Sequence, residues 1–494
     1  MSAPAVHSQE TTLTTFHPGR PFGPLLLALA LAGCAGIPAD RGLAEVDREL
    51  AARGVAAAPT AVARAGFPAP APELLAAPLT LDAAQRIALA HNPALLAQFA
   101  ALGIAQADAY DAARLANPRF SLAWLDAAGG GEKITLGLAQ NVADLLTLSP
   151  RRRIAEGEVG RAQQQAGAAL VALAADVEAA YWRHVTALAV RELRGAIAEA
   201  GAVSADFAAA LHTAGNINQL ALDRERAAAE MLAVEAVRTE VAVATTRAAL
   251  GQLMGVDGDR QWTVADGLPP PVAQEDELAA LQRIAAAGRL DLLAAQRAVV
   301  LLEDALGLAR SFRWLGSFEV GVEHEDEADG GELTGPTFAL ELPLFNQGEG
   351  RVTRAAAQLD GARAAARATE IAVGNEVARA RAEVAAAREI VERYRERLVP
   401  LRERIVDGAR RMQNYMLIGQ FEVLEDKRAQ YAAYGEYLAA LGDYWQARAA
   451  LARATGAPLP SAAAVAPVAI TPAGLLNAPP LAPAGPADHS HHAH

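Results

Sequence analysis

The chain has 494 residues, a formal net charge of −13 and only 5% aromatic residues. A chain of this length can bury a large core or divide into about three domains. Its acidic balance argues against nucleic-acid binding, which needs a basic stripe. The single cysteine, Cys34, excludes an intramolecular disulfide. The abundance of alanine, the strongest helix former, indicates long and closely packed helices.

A short apolar stretch, LLLALALAGCAG, lies near the N-terminus. Its apolar part, Leu25 to Ala32, is too short to cross a bilayer, which takes about 20 residues, but it suits the central region of a secretory signal. Leu31-Ala32-Gly33-Cys34 resembles a bacterial lipobox. Residues 1–33 are therefore predicted to be a signal peptide, and Cys34 the acylated (palmitate-bearing) first residue of the mature chain. An uncleaved signal with a chance cysteine is the alternative. No other uncharged apolar segment reaches about 18 residues, so no transmembrane helix is expected.

The two halves of the chain carry related segments in the same order. Three pairs anchor the alignment: QRIALAHNPALLAQ (from Gln85) with QRIAAAGRLDLLAA (from Gln282), RAAL (Arg247) with RAAL (Arg448), and Gly215 with Gly419. Their offsets of 197, 201 and 204 are nearly constant. The pattern predicts a tandem duplication of a unit of about 200 residues. Chance alignment of alanine-rich helices is the alternative.

Each repeat predicts the same series of elements: a helix, two short strands, a very long helix, a glycine turn and a final helix. The predicted first helices cover roughly 81–116 and 279–313, and the long helices roughly 150–212 and 351–417. Pro150 suits a helix start, and Gly255 and Gly456 suit the C-caps of the final helices. Helices of about 95–100 Å imply a coiled-coil rod or tube.

Four segments alternate apolar and polar residues with period two: NPRFSLAWLD, KITLGLAQ, SFEVGVEHE and TFALELPLF. The residues expected on one face are Phe120, Leu122, Trp124, Ile134, Leu136, Leu138, Phe318, Val320, Val322, Phe338, Leu340 and Leu342. The opposite face carries Ser121, Thr135, Gly137, Glu319, Gly321, Glu323, Thr337 and Glu341. This pattern is typical of a transmembrane β-barrel with lipid outside and water inside. An ordinary half-buried sheet is the alternative.

The number of strands bears on assembly. Four strands cannot close a barrel, and an open sheet edge is not tolerated in lipid. The chain is therefore expected to oligomerise, and three copies would supply twelve strands.

The sequence resembles the TolC-type outer-membrane efflux factors, in their lipoprotein branch. The features that carry the resemblance are the lipobox, LTLDAAQRIALAHNPAL from Leu79, LPLFNQGEGR from Leu342, the two glycine turns and the duplication. The resemblance extends from Cys34 to Gly456. It implies a mainly α fold with a small β part: a long helical coiled-coil barrel in the periplasm, and four strands of a trimeric 12-stranded barrel in the outer membrane. The implied partners are two further copies of the chain, outer-membrane lipid, a periplasmic adaptor (membrane fusion) protein and an inner-membrane pump of the resistance-nodulation-division type. Cys34 would be an auxiliary lipid anchor.

The predicted organisation has six parts. They are the signal peptide 1–33, an extended N-terminal arm 34–78, a first repeat 79–255, a linker 256–278, a second repeat 279–456, and a proline- and alanine-rich arm with a histidine-rich tail, 457–494.

The resemblance also implies a periplasmic gate formed by acidic side chains after the glycine turn. Glu425 falls at the matching position, Asp426 adjoins it, and Asp223 lies nearby in the first repeat but shifted. Three copies of a carboxylate at a constriction attract cations and repel one another. The alternative is a solvated helix face on which Lys427 and Arg428 pair with these carboxylates. In the barrel, Glu319, Glu323 and Glu341 are expected to face the lumen, and Phe120, Leu122, Trp124, Phe318 and Phe338 the lipid.

The chain ends in ADHSHHAH, with His489, His491, His492 and His494 within six residues. Neutral imidazoles are good ligands for Zn²⁺, Cu²⁺ and Ni²⁺. The tail resembles that of the heavy-metal branch of these efflux factors, and it favours export of metal cations. A tail without a role is the alternative, and a multidrug channel of the same fold is the alternative function.

The alternative from another class of protein is a periplasmic lipoprotein. A periplasmic coiled-coil adaptor or scaffold lipoprotein would share the signal and the long helices, but it needs neither the four strands nor the duplication. The sequence contains no HExxH, P-loop or GxSxG motif, so an enzyme is not predicted, and no cofactor is expected.

Overall fold

The computed structural model describes residues 38–55, 70–126, 131–327, 329–460 and 469–477. The chain divides into two units, Met1–Ala39 and Asp40–His494. Only Pro38 and Ala39 of the first unit are described, and every element below belongs to the second.

The described elements of the first half are α1 (Leu43–Ala52), α2 (Pro72–Leu75), α3 (Leu81–His91), α4 (Ala94–Ala112), β1 (Arg119–Asp126), β2 (Glu132–Asn141), α5 (Ala143–Thr213) and α6 (Gln219–Met254). Those of the second half are α7 (Leu278–Gly288), α8 (Leu290–Ser311), β3 (Phe318–Asp326), β4 (Glu332–Leu340), α9 (Glu349–Arg393), a π-helical turn (Tyr394–Leu398), α10 (Val399–Asn414), α11 (Gln420–Thr455) and α12 (Pro472–Leu476). The chain is mainly helical with a small β part, and each half repeats the predicted order of elements.

The predicted first helix of each repeat is divided in two. Between α3 and α4 the chain bends by 50° at Asn92-Pro93. Proline disfavours a helical conformation in the residue before it, and Asn92 is extended. Its Oδ1 accepts a hydrogen bond from the first amide of α4, Ala94 N, at 2.8 Å. Within the described residues no single helix is long and apolar enough to cross a bilayer, although α3 and α4 together meet that criterion of length and composition.

The long helix α5 begins seven residues earlier than predicted. Asn141 Oδ1 accepts a hydrogen bond from Ala143 N at 2.9 Å and so satisfies the first amide of the helix. Pro150, predicted at the helix start, lies inside α5, where it removes one backbone donor near the N-terminal end of the helix. With 71 residues, α5 extends for roughly 105 Å.

The second long helix contains a π-helical turn, unlike α5. The helix predicted over roughly 351–417 is present as α9, the π-helical turn and α10, which follow one another without a gap from Glu349 to Asn414. Pro400, the second residue of α10, cannot donate a backbone hydrogen bond, and the wider π-helical turn directly precedes it.

The hairpin turns of the two repeats match at an offset of 201, and not at 204 as the glycine pairing suggested. α5 and α10 end at Thr213 and Asn414, and α6 and α11 begin at Gln219 and Gln420. Gly215 therefore corresponds to Met416, and both adopt left-handed backbone conformations, with φ of 75° and 59°. Gly419 corresponds to Asn218 and occupies the N-cap of α11 with φ −79°.

The arms and the linker are more packed than predicted. Leu43, Val46 and Leu50 of α1 are buried, and so is Pro472 of α12. The linker between the repeats buries Val256, Trp262, Val264, Leu268 and Val272. It pairs through isolated bridges with Leu79 and Ile470. Apolar side chains in these segments gain more from burial than an extended arm allows.

The four strands form one antiparallel sheet in the order β1-β2-β3-β4. β1, β2 and β3 lie close to their predicted positions, but β4 covers 332–340 instead of 337–345, so Glu341 and Leu342 lie beyond it. Gly335-Pro336 resembles a turn in the sequence. Proline is nevertheless accepted at a sheet edge, where its missing donor has no ladder partner to serve.

Candidate membrane sheet and helical hairpin tips

The register of the sheet brings the predicted apolar residues to one face. Phe120 pairs with Leu138, Leu138 with Val322, and Val322 with Pro336. Adjacent residues on paired strands share a face, and side chains alternate between faces along a strand. One continuous surface therefore includes Phe120, Leu122, Trp124, Ile134, Leu136, Leu138, Phe318, Val320, Val322, Phe338 and Leu340.

This apolar face is largely exposed in the single chain. Phe120, Trp124 and Phe338 expose 66%, 63% and 68% of their surface, and Leu122 is also exposed, while Phe318 is half-buried. A contiguous exposed patch of large apolar side chains marks a surface that contacts lipid or protein. Both edge strands, β1 and β4, have one neighbour each within the described sheet. Unpaired edges of this length invite further strands.

The charged residues of the opposite face are mostly paired, whereas Asp126, Glu132, His324 and Asp326 share the apolar face at one end of the strands. Arg119 Nη2 lies 3.2 Å from Glu319 Oε1, and Lys133 forms an ion pair with Glu325. Glu323 forms no ion pair with any described residue. The three glutamates named from the sequence are thus not equivalent carboxylates. Two cations on this face reduce the negative field that the glutamates alone would create.

Glu341 has a different position from the one predicted. It follows the last residue of β4, and its carboxylate accepts hydrogen bonds from Ser317 N at 3.2 Å and Ser317 Oγ at 3.4 Å. The carboxylate therefore ties the end of β4 to the start of β3.

The acidic residues proposed for a gate lie just after the hairpin tips. Glu425 is exposed and Asp426 half-buried on the second turn of α11. Exposed Asp223 accepts a hydrogen bond from Gln219 Nε2 at 2.7 Å. Lys427 and Arg428, the pairing partners of the alternative interpretation, contact other residues. Lys427 donates to Gln430 Oε1 at 2.7 Å and lies 4.6 Å from the centroid of the Tyr431 ring.

An ion pair that sequence reasoning missed joins the two hairpins at this level. Arg428 Nη2 donates to Glu225 Oε2 at 2.5 Å, and the buried Glu225 also accepts a hydrogen bond from Ser204 Oγ at 3.1 Å. Glu225 and Arg428 are 203 residues apart in the chain. At an offset of 201, Glu225 is the residue of the first repeat that corresponds to Asp426. Aligning the repeats at that offset would have identified Glu225 from the sequence.

Several predicted sites lie outside the described residues. They are the signal peptide 1–33, the lipid attachment site Cys34 and the tail histidines His489, His491, His492 and His494. Within the described residues, no group of three or more His, Cys, Asp or Glu side chains is arranged to hold a metal ion.

The fold is similar to that of solved outer-membrane proteins. The structure of CusC is 17% identical, with a TM-score of 0.64, over 76% of this chain and 92% of that one. VceC of Vibrio cholerae is 18% identical, with a TM-score of 0.63, over 76% of this chain and 96% of that one. The MtrE outer-membrane channel of Neisseria gonorrhoeae is 17% identical, with a TM-score of 0.61, over 77% of this chain and 89% of that one. No protein-family model matches the sequence, and no curated protein matches it. The similarity establishes the fold.

Proposed function

We propose that the protein is an outer-membrane channel of a tripartite efflux system. The observation that carries the proposal is the exposed apolar face of a four-stranded sheet joined to helices of roughly 100 Å. The similarity of fold to proteins described as outer-membrane channels supports it. In this proposal, the apolar face contacts lipid, the opposite face lines the pore, and the helices extend into the periplasm.

The internal duplication supports assembly with further copies. Val234, Val237 and Val241 form an exposed stripe on α6. At an offset of 201 they correspond to Gly435, Leu438 and Gly442 of α11, all of which are buried. Gly435 packs near Leu193 of α5, and Gly442 near Thr186. The equivalent contact for α6 requires another long helix in the role of α5.

That helix is supplied in this proposal by α9 and α10 of an adjacent copy. Ile371 and Ile390 of α9 are large exposed apolar residues that suit such a contact. Three copies then alternate the two kinds of repeat around a ring, and their sheets close a barrel of twelve strands. The homotrimer is thus supported by burial at equivalent positions as well as by strand number.

The assembly is tested by extracting the protein with detergent and measuring its mass by light scattering. We expect a homotrimer that conducts ions in a planar bilayer. Val237→Glu places three charges in the proposed interfaces and should yield monomers. Met231→Glu is the control, because Met231 is exposed and its equivalent, Ala432, is exposed as well. A monodisperse monomer that dissolves without detergent would refute the proposal.

The periplasmic gate is part of the proposal. Glu425, Asp426 and Asp223 are proposed to contribute carboxylates near the constriction, with Glu225 and Arg428 holding the hairpins together. Replacing the two carboxylates with neutral amides (Glu425→Gln, Asp426→Asn) should reduce the preference for cations in bilayer recordings. Unchanged selectivity would assign the preference to another ring, such as Glu323.

We further propose export of heavy-metal cations through an adaptor and an inner-membrane pump, on the basis of the histidine tail. The alternative is multidrug efflux. Deletion of the gene should lower tolerance to zinc, copper, cobalt or nickel, and a chain ending at Pro486 tests the tail itself. Unchanged metal tolerance with new drug sensitivity would favour the alternative.

Lipid attachment at Cys34 after removal of residues 1–33 completes the proposal. Mass spectrometry of the mature protein should give Cys34 as its acylated first residue. Residues preceding Cys34, or an unmodified thiol, would refute this part. Cys34→Ser should impair localisation more than folding, because the barrel still crosses the membrane.

A further inference from the structure

A cavity of roughly 640 Å³ lies where the sheet joins the helices. It is lined by the first turns of α5, the end of α8, the start of α9 and the chain segments next to β3 and β4. The sheet and the helical part of the chain meet at this level. In the proposed function it is the level at which the membrane ends and the periplasm begins.

Three arginines line the cavity: Arg151, Arg313 and Arg351. Arg151 Nη2 lies 3.5 Å from Asp144 Oδ1, while its Nε is buried and makes no hydrogen bond with the described residues. Arg313 Nε is buried in the same way. Charge-assisted hydrogen bonds from guanidinium groups to an anion are among the strongest in proteins, so three arginines around one cavity favour an anionic ligand.

The net charge of the residues that line the cavity favours an anionic ligand. Asp144 and Glu341 are its carboxylates, and Glu341 is already engaged by Ser317. Arg351 Nη2 donates to Arg313 O at 3.0 Å, which holds the two arginines next to each other. Three guanidinium groups against two carboxylates leave a net positive site. The planar guanidinium group matches the geometry of phosphate oxygens.

Large exposed apolar residues adjoin the lining residues of this cavity in the chain. Leu145 and Leu146 follow Asp144, Trp314 follows Arg313, and Leu344 and Phe345 follow Pro343. All five are exposed, and Phe345 is fully so. Basic groups interleaved with exposed aromatic and aliphatic side chains are typical of the headgroup layer of a membrane.

We propose that this cavity binds the phosphate group of an anionic phospholipid from the periplasmic leaflet of the outer membrane, with the acyl chains lying over the apolar residues around it. The inference rests on the proposed function, because it requires the sheet to lie in a membrane. The lipid would join α5, α8 and α9 below the sheet. It would thereby stabilise the junction between the two parts of the assembly.

The test uses the detergent-extracted trimer and native mass spectrometry with phosphatidylglycerol as the probe. The wild type should retain bound phosphatidylglycerol through delipidation. The double variant Arg151→Gln/Arg351→Gln should retain about tenfold less, since two charge-assisted contacts are lost. Arg152→Gln is the matched control, because Arg152 is exposed and pairs with Glu156. It should behave like the wild type.

Two further arms identify the ligand. Inorganic phosphate at the same concentration should not displace the lipid, and uncharged diacylglycerol should not bind. Displacement by phosphate alone would overturn the assignment to a lipid. Equal retention by the wild type and the double variant would overturn the site. Absence of any detergent-extracted trimer would refute the proposed function, whereas an intact trimer with lipid binding indifferent to both arginines refutes this inference alone.

Discussion

The two repeats hold the linker between them with equivalent arginines in different surroundings. Arg247 of α6 is half-buried, lies 4.2 Å from the centroid of the Trp262 ring, and donates to the carbonyl oxygens of Trp262 and Arg260. Arg448 of α11 is 2% exposed and forms an ion pair with the buried Glu275. The arginine of the RAAL segment therefore holds the linker in both repeats. Its partners are uncharged groups in the first repeat (the first anchor) and a buried carboxylate in the second (the second anchor).

The difference shows how a duplicated position acquires its chemistry from the segment that it meets. Tyr444 donates to Glu275 Oε1 at 2.5 Å and accepts from Val272 N at 3.1 Å, so the buried carboxylate is enclosed by donors. Its burial and this carboxylate raise the pKa of Tyr444 to about 12. The anchor in the second repeat is a network that fails as a unit, while the anchor in the first is a sum of separate contacts.

The largest effect is expected from breaking the charged anchor. Arg448→Met removes the close ion-pair partner of the buried Glu275 and leaves it only Arg388, whose Nη1 lies 4.0 Å from Glu275 Oε1. The change should destabilise the protein by about 3–4 kcal/mol, the lower part of the range for a broken buried ion pair. Arg247→Met removes hydrogen bonds to carbonyl groups and a cation–π contact, and should cost about 1–2 kcal/mol. Denaturation in detergent, followed by the helical circular dichroism signal, measures both.

A double variant sharpens the comparison of the two anchors. Arg448→Met/Glu275→Leu removes both charges and should recover much of the stability lost by Arg448→Met alone, because no isolated charge stays buried. Equal losses for Arg247→Met and Arg448→Met, without recovery in the double variant, would show that the two anchors do not differ as described.

The second prediction concerns acid. The long helices of the two repeats bury equivalent positions at an offset of 200, and His184 of α5 corresponds to Val384 of α9. The other buried pairs are Leu173 and Val373, Val177 and Val377, and Ala180 and Ala380. Only the first repeat thus has a histidine at this position. Burial, with Arg247 and Arg191 nearby, lowers the pKa of His184 from 6.5 to about 4.

Since the unfolded chain takes up this proton more readily than the folded chain, His184 makes the protein less stable as pH falls from about 6.5 to about 4. The shift corresponds to a loss of about 3 kcal/mol. Burial also raises the pKa of Glu178 to about 7, and this shift makes the protein more stable as pH falls. The effect of His184 is therefore measured as the difference in stability between the wild type and a variant that lacks the histidine. His184→Val, which copies the second repeat, should lose the acid-dependent component. An identical pH profile for both proteins would contradict this.

The sequence predicted the parts of the fold that follow from local patterns. Period-two alternation placed Phe120, Leu138 and Phe338 on one face, and the sheet confirms it. Gly255 and Gly456 cap α6 and α11 in left-handed conformations, as their positions indicated. Such signals depend on a few neighbouring residues and survive without knowledge of tertiary contacts.

The failures arose where distant residues or compensating geometry decide the structure. Glu225 and Arg428 pair across 203 residues, and nothing local indicates that contact. Pro400 lies within a strongly helical pattern, and the π-helical turn before it lets the helix continue. The offset of 200 before this turn and 201 after it indicates one additional residue in the second repeat. A residue added inside a helix is commonly absorbed in this way.

The third prediction compares the hairpin turns. Asn216 N donates to Leu211 O at 2.9 Å, and Leu417 N donates to Met412 O at 3.0 Å, so both turns make the same bond. Gly215→Ala should destabilise the first turn by about 1–2 kcal/mol, because a Cβ is disfavoured at φ 75°. Met416→Gly relieves that strain in the second turn, but it also frees the unfolded chain, so its gain should stay below about 1 kcal/mol. Hydrogen exchange at Asn216 and Leu417 reports each turn, and effects of the same sign would contradict the comparison.

The smallest effects are expected one turn further, at the N-caps of α6 and α11. Asn218 Oδ1 accepts a hydrogen bond from Ala221 N at 2.9 Å, whereas Gly419 offers no side chain and its own N–H donates to Glu422 Oε1 at 3.3 Å. Asn218→Ala should cost about 1 kcal/mol, and Gly419→Asn should gain a few tenths. Exchange rates of the first-turn amides, Ala221 and Glu422, measure both changes against the wild type. If Gly419→Asn gained as much as Asn218→Ala loses, the Glu422 carboxylate would be contributing nothing to the cap.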